Sequence, residues 1–343
     1  PDAMVCTANT QEDPSNCGAC GRSCLGTSCT LGRCTAERLD SGDISGIGDF
    51  TTDGLFLYYS GFTTGTGANH RLWKIVIGPA TSVAHLTSFA HPTPLSQIAF
   101  DGSDFYTAEP VRIDTIDRGT IKKFSKEPFA ESNLAQFQEP TTTAVWMQNG
   151  SVYWATDIDG ASGGDIKRVA TTGGSISTIS AATGFVAYLG ADTSNIFWVD
   201  DSNALKRAPI AGGVPTTVTS GKADFFDMDA TNVYMLRKNT GDVISVPKTG
   251  GAVTPIAQGM TAGAAVDDSH VYMANGNKLM ASTKAGVDAS TLWEGEPQGT
   301  SGCPTVMKIT RTKVIGGYVY FLVVPTTCNN VAMFNQIHRI ARL

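Results

Sequence analysis

Asp192-Thr-Ser-Asn-Ile-Phe197, Asp229-Ala-Thr-Asn-Val-Tyr234 and Asp267-Asp-Ser-His-Val-Tyr272 are three versions of one unit. Each has a turn residue and, five positions on, an aromatic preceded by an apolar residue. The stretches Asp53 to Tyr58, Asp101 to Tyr106, Gln148 to Tyr153 and Ile315 to Tyr320 keep the same offset. Successive aromatics lie 48, 47, 44, 37, 38 and 48 residues apart. Such intervals hold one four-stranded antiparallel unit each.

A second anchor follows each aromatic: Leu72-Trp-Lys, Ile121-Lys-Lys, Ile166-Lys-Arg, Leu205-Lys-Arg, Val243-Ile-Ser, Leu279-Met-Ala and Ile337-His-Arg. A third, an apolar residue just before a turn, occurs at Leu86, Leu134, Ile179, Val218, Ile256 and Leu292. Only six copies of the third exist, and the last unit ends after its third strand. Thr35-Ala-Glu-Arg-Leu-Asp-Ser-Gly42 has the form of the missing outer strand. Joining it to the last unit closes the ring and removes its open edges. The expected fold is therefore all-β: a seven-bladed β-propeller over 35–343, closed by an N-terminal outer strand, behind a small disulfide-rich module over 1–34.

Composition agrees with that class. Charged residues are 16% of the chain and glycines number 37, as turn-rich β-sheet proteins require. The net charge is −6 and basic residues nowhere cluster, so nucleic acid is not an expected partner. No apolar run is long enough to cross a membrane as a helix. No leader-like run opens the chain, so export is inferred from cysteine usage.

Six of the eight cysteines fall at Cys6, Cys17, Cys20, Cys24, Cys29 and Cys34. This segment has too few apolar residues to fold on a core, so cross-links must hold it. A zinc site at Cys17-Gly-Ala-Cys20 is the competing reading, but it lacks a matching second ligand pair and any His. Disulfides are favoured, with the pairing open. The stretch Asp13-Pro-Ser-Asn-Cys-Gly-Ala-Cys-Gly-Arg-Ser-Cys24, with Cys29 and Cys34, resembles the cysteine-rich repeat of plant stigma-specific secreted proteins and of many myxobacterial surface proteins. That resemblance implies a secreted or cell-surface setting. Val152-Tyr-Trp-Ala-Thr-Asp157 with Ile166-Lys-Arg, and Ile196-Phe-Trp-Val-Asp200 with Leu205-Lys-Arg, resemble the YWTD-type propeller repeat. The familiar YWTD receptor domains have six blades, whereas this chain counts seven. As a whole, 35–343 looks like a secreted bacterial propeller of this repeat type.

For function, the gaps between first and second anchors are 14, 15, 13, 8, 9, 7 and 17 residues for blades one to seven. The long connections belong to blades seven, one, two and three, neighbours in a closed ring, so one sector of one face is expected to be built up. Long loops on a rigid scaffold are where binding resides. Candidate ligand-binding residues there are Asn69, His70, Arg71, His91, Glu109, Arg112, Asp114, Arg118, Asn329 and Asn330. Cys303 and Cys328 fall in the same sector and are expected to pair. Asp157, Asp159 and Asp165 alternate as hard oxygen ligands for Ca²⁺, the one cofactor candidate, although their spacing departs from a full calcium loop.

The repeated Asp at 53, 101, 192, 229 and 267 is expected to bond its own turn. Trp154 and Trp198 hold repeat positions and are expected in the core. No nucleophile elbow, zinc-protease, P-loop or dinucleotide signature is present. The leading expectation is a monomeric recognition module for a protein, peptide or glycan. The alternatives are a metal-assisted lyase or hydrolase using His70, His91, Glu109 and Asp157, and a purely structural surface protein.

Overall fold

In the computed structural model, the residues described are 7–39, 44–63, 71–77, 83–85, 97–113, 116–126, 129–140, 142–156, 164–182, 184–186, 188–223, 225–286, 289–295, 307–325 and 335–343. They form a two-stranded sheet in the N-terminal module and seven antiparallel blades, each containing an inner, second, third and outer strand, in chain order in all but blade seven. Blade four shows the pattern: Tyr188–Ala191, Asn195–Asp200, Ala204–Pro209 and Thr216–Ser220. The second anchors all lie on third strands, and the third anchors from Leu134 onward lie on outer strands. Leu86 lies outside the described residues.

Blade seven takes its outer strand from the other end of the chain. Met307–Ile315, Tyr318–Pro325 and Gln336–Ala341 are completed by Glu37–Arg38. Glu37 pairs with Arg339 and Arg38 with His338, and the Leu39 amide donates to the Ile337 carbonyl at 2.8 Å. Leu39 is buried in one apolar cluster with Phe50, Tyr59, Trp73, Leu322 and Ile337, which joins the last blade to the first.

The repeated aromatics hold the blades together. Tyr58, Tyr106, Tyr153, Phe197, Tyr234, Tyr272 and Tyr320 are all essentially excluded from water. Trp154 and Trp198 are buried too, as their repeat positions implied. Each repeated Asp accepts from two amides of its own turn. Asp229, for example, takes Thr231 N and Asn232 N, both at 2.8 Å. Its other oxygen receives the Tyr234 hydroxyl at 2.8 Å and Lys284 Nζ from the following blade, also at 2.8 Å. Lys126 reaches back to Asp53 in the same way, and Lys248 to Asp192. The turn acid is thus also a latch between blades. In blade four the motif acid Asp200 is a core acceptor, taking Trp198 Nε1 at 3.2 Å and Lys206 Nζ at 3.0 Å.

The N-terminal module contains the disulfides Cys17–Cys29 and Cys24–Cys34, and Cys20 is disulfide-bonded as well. These bonds remove the zinc reading, because oxidised sulfurs are not thiolate ligands. The four paired sulfurs pack into the same apolar cluster as Leu292, Phe321 and Ile340. The Tyr318 hydroxyl donates to the Leu25 carbonyl at 3.0 Å. The module is therefore docked on blades six and seven. Cys303 and Cys328, and with them their expected bond, lie outside the described residues.

Candidate functional site

All seven second strands begin three residues after the turn position, at Phe56, Asp104, Ser151, Asn195, Asn232, His270 and Tyr318. Any extra length therefore falls at the far end, where second strand passes to third. These strands run 6 residues in blades three to six, but 8 in blades seven and one and 10 in blade two. In blade two the third and outer strands, Ile116–Lys126 and Phe129–Pro140, lengthen with it. At about 3.3 Å per residue the second strand of this extension projects roughly 13 Å beyond that of blade three and roughly 7 Å beyond that of blade one. Blade one gains a further short strand, Ile44–Ser45, against Phe62 and Thr63.

The built-up sector thus exists across blades seven, one and two, but in blade two it is sheet, not loop; the long connection expected in blade three, 157–163, lies outside the described residues. The expectation of a long loop in blade two is corrected: Asp104–Ile113 and Ile116–Lys126 form one hairpin. The apolar β-branched residues Val111, Ile113 and Ile116 favour strand, and the register sets basic Arg112 opposite acidic Asp117.

Glu109 is not part of an exposed crest. It is 1% exposed, on the second strand of blade two, with Lys122 Nζ at 2.8 Å. Lys122 also reaches Glu131 at 2.6 Å, so one ammonium joins the second, third and outer strands at the base of the projection. Burial lowers the Lys122 pKa, but its two carboxylate partners raise it further, so the ammonium stays charged. Arg71, Arg112 and Arg118 lie on strands of the raised sector. Asp165 lies on the third strand of blade three, 3.9 Å from Lys167 Nζ. Asn69, His70, His91, Asp114, Asp157, Asp159, Asn329 and Asn330 lie outside the described residues.

A second constellation lies where the seven inner strands face one another. In every blade the repeated aromatic is register partner to an inner-strand residue seven positions earlier. These partners are Thr51, Ala99, Trp146, Gly190, Asp227, Ala265 and Lys313. All but Gly190 line a cavity of about 230 Å³. The small residues Ala99 and Ala265 leave the space, while Tyr188, Phe225 and Phe226 supply aromatic wall, both phenylalanines edge-on to Tyr188. Gly263 is a bulge with φ of +100°, and a Cβ there would meet the Met273 backbone at 2.8 Å.

The charges here are buried. Asp49, fully buried, accepts from Arg311 and from Lys313 Nζ at 2.7 Å, and its other oxygen takes Ile98 N at 2.8 Å. Lys313 also donates to the Phe50 carbonyl at 2.7 Å. The Arg311 guanidinium stacks on Phe225, 4.3 Å from the ring centroid. Gln97 reaches past blade three, its amide donating to the Leu189 carbonyl at 3.0 Å.

Among the described residues Asp227 has no such cation in contact, and it accepts only from Met228 N at 2.8 Å and Val266 N at 2.9 Å. Burial raises its carboxyl to about 6, against the pull of those two amides and of the more distant Lys313 and Lys284. The folded state therefore keeps a proton that the unfolded chain releases near pH 4, so this group subtracts stability as pH rises from about 4 to about 6. In urea titrations, the difference between wild type and Asp227→Asn should shift steadily against the wild type across that interval. A constant difference would mean that Asp227 titrates at its ordinary value.

No protein-family model and no curated protein matches the sequence. Solved structures show the likeness instead. YCF48 from Cyanidioschyzon merolae superposes with a TM-score of 0.60 at 12% identity, covering 89% of this chain and 98% of that one. The WD40 β-propeller domain of Doa1 gives 0.58 at 10% identity, covering 90% and 98%. A nidogen/laminin complex gives 0.46 at 15%, covering 60% and 76%. At these identities the likeness is one of fold, and the chain is a seven-bladed β-propeller.

Proposed function

We propose that the chain is a secreted or cell-surface recognition module that binds a protein, peptide or glycan against the raised sector of blades seven, one and two. The observation that carries this reading is the lengthening of second strands in three consecutive blades, with a three-stranded wall on blade two. Seven similar blades need no such extension to close a ring, and a projecting sheet offers free edges and faces for a partner. The disulfides fit an oxidising compartment. The expected ligand residues Arg71, Arg112 and Arg118 lie on this sector, and the connections bearing Asn69, His70, Asn329 and Asn330 spring from the same blades.

The test is to trim the hairpin, replacing residues 111–118 by an Asn-Gly turn that keeps Pro110 opposite Gly119, and to screen both proteins on a glycan array and a displayed peptide library. The wild type should retain a ligand set that the trimmed protein binds at least ten-fold more weakly, with an unchanged thermal melt. Equal affinity, or no ligand for either protein, would sink the reading.

A further inference from the structure

We propose that the central cavity is a binding site for a free α-amino acid with an aromatic or large apolar side chain. The first argument is unspent hydrogen-bonding capacity. Among the described residues Asp227 uses two of its acceptor positions, on Met228 N and Val266 N, and keeps the others. Lys313 directs two of its three protons, to Asp49 and the Phe50 carbonyl. Arg311 contacts Asp49 with one nitrogen. The buried Trp146 Nε1 and Thr312 Oγ1 have no hydrogen-bond partner among the described residues. All five residues line the cavity. A buried donor without a partner is costly, so a lining with this many is poised for a polar ligand.

The second argument is the arrangement of sign. Asp49 already serves both cations, leaving Asp227 as the acid with no cation in contact among the described residues. Asp227 stands on blade five and Lys313 on blade seven, and blade six between them lines the cavity with the small residues Gly263, Ala264 and Ala265. A ligand seated over blade six meets a carboxylate on one side and an ammonium with a guanidinium on the other. An α-amino acid has its ammonium and carboxylate on one carbon and satisfies both ends at once. Its side chain then lies against Trp146, Tyr188 and Phe225. The volume, below the range of drug-sized pockets, suits a ligand of this size.

The test uses the full chain and calorimetric titration with four probes: L-phenylalanine, L-phenylalaninamide, N-acetyl-L-phenylalanine and glycine. The two blocked probes each keep one charge and imitate a peptide terminus. L-Phenylalanine should bind at least ten-fold more tightly than any of the others. Asp227→Asn should weaken it at least ten-fold, and Ala265→Leu, which fills the space, should abolish it. The hairpin-trimmed protein should bind it normally, which separates this site from the raised sector. Failure of L-phenylalanine to bind at millimolar concentration, or equal affinity for a blocked probe or glycine, overturns the proposal. Both hold for the wild type even where a variant does not fold.

Discussion

A chain shortened to begin at Ile44 is expected to lose its cooperative thermal transition and associate, whereas one beginning at Thr35 keeps a transition at a lower temperature. The difference between the two is the closing strand. Glu37–Arg38 supplies the outer strand of blade seven, and Arg339 donates to Glu37 through both Nε, at 2.8 Å, and a terminal nitrogen, at 2.7 Å. Leu39 adds a fully enclosed side chain to the cluster that seals blade seven to blade one. Removing such a side chain alone costs about 2–5 kcal/mol. Removing the strand also bares the edge of Gln336–Ala341, a template for pairing with another chain. The shorter deletion takes away only the docked cysteine module and its contacts with blades six and seven. Circular dichroism melts with size-exclusion chromatography at several concentrations read the result. A monomeric Ile44 chain with a wild-type melt would show that the ring is closed by something other than this strand.

That closure was legible from residues because it is a matter of sameness. The seven aromatics, seven third-strand anchors and six outer-strand anchors repeat, and counting them leaves one place to fill. The turn acids were legible for the same reason, since an Asp recurring at a strand-to-strand turn has its own backbone as its nearest partner. What a search for repeats passes over is a position whose content changes from blade to blade. Thr51, Ala99, Trp146, Gly190, Asp227, Ala265 and Lys313 share one register and no chemistry, so they read as noise beside the aromatics seven residues later. The signal that finds them is the offset itself: a polar or charged residue such as Asp227 or Lys313 on an inner strand, where neighbours are Ala and Gly, has to face the centre of the ring. Glu109 was misread for another reason. The gap between anchors measures chain length and says nothing about pairing, so a hairpin and a loop of equal length look alike. The strand-forming run Val111 to Ile116 and the facing Lys122 distinguish them only once the register is known.

Replacing Asp49 by Ala is expected to be the most damaging single change, on the order of 3–5 kcal/mol, because it breaks a buried ion cluster while leaving its cations in place. One carboxylate holds Arg311 and Lys313 of blade seven and the Ile98 amide of blade two, so three consecutive blades meet on it at the seam where the chain closes. Without it, Arg311 retains its stack on Phe225 but loses its carboxylate, and Ile98 loses an acceptor. Lys313, already pushed below its ordinary value by burial, loses the carboxylate that opposes the fall. Asp49→Asn keeps an acceptor for Ile98 but not the charge, and should recover only part of the loss. The pH dependence identifies the cause. Burial raises the Asp49 carboxyl, but Lys313 and Arg311 more than offset it and hold it below the usual carboxylate range. Its contribution is therefore fully present above about pH 4 and is lost as pH falls through the lower folded value. The stability gap between wild type and Asp49→Asn, measured by urea titration, should be flat from pH 5 to 7 and close below pH 4. This is opposite in sign to the trend for Asp227, which has no cation in contact among the described residues. A gap that persists unchanged into acid would mean that shape and hydrogen bonding, not charge, make Asp49 the joint of the ring.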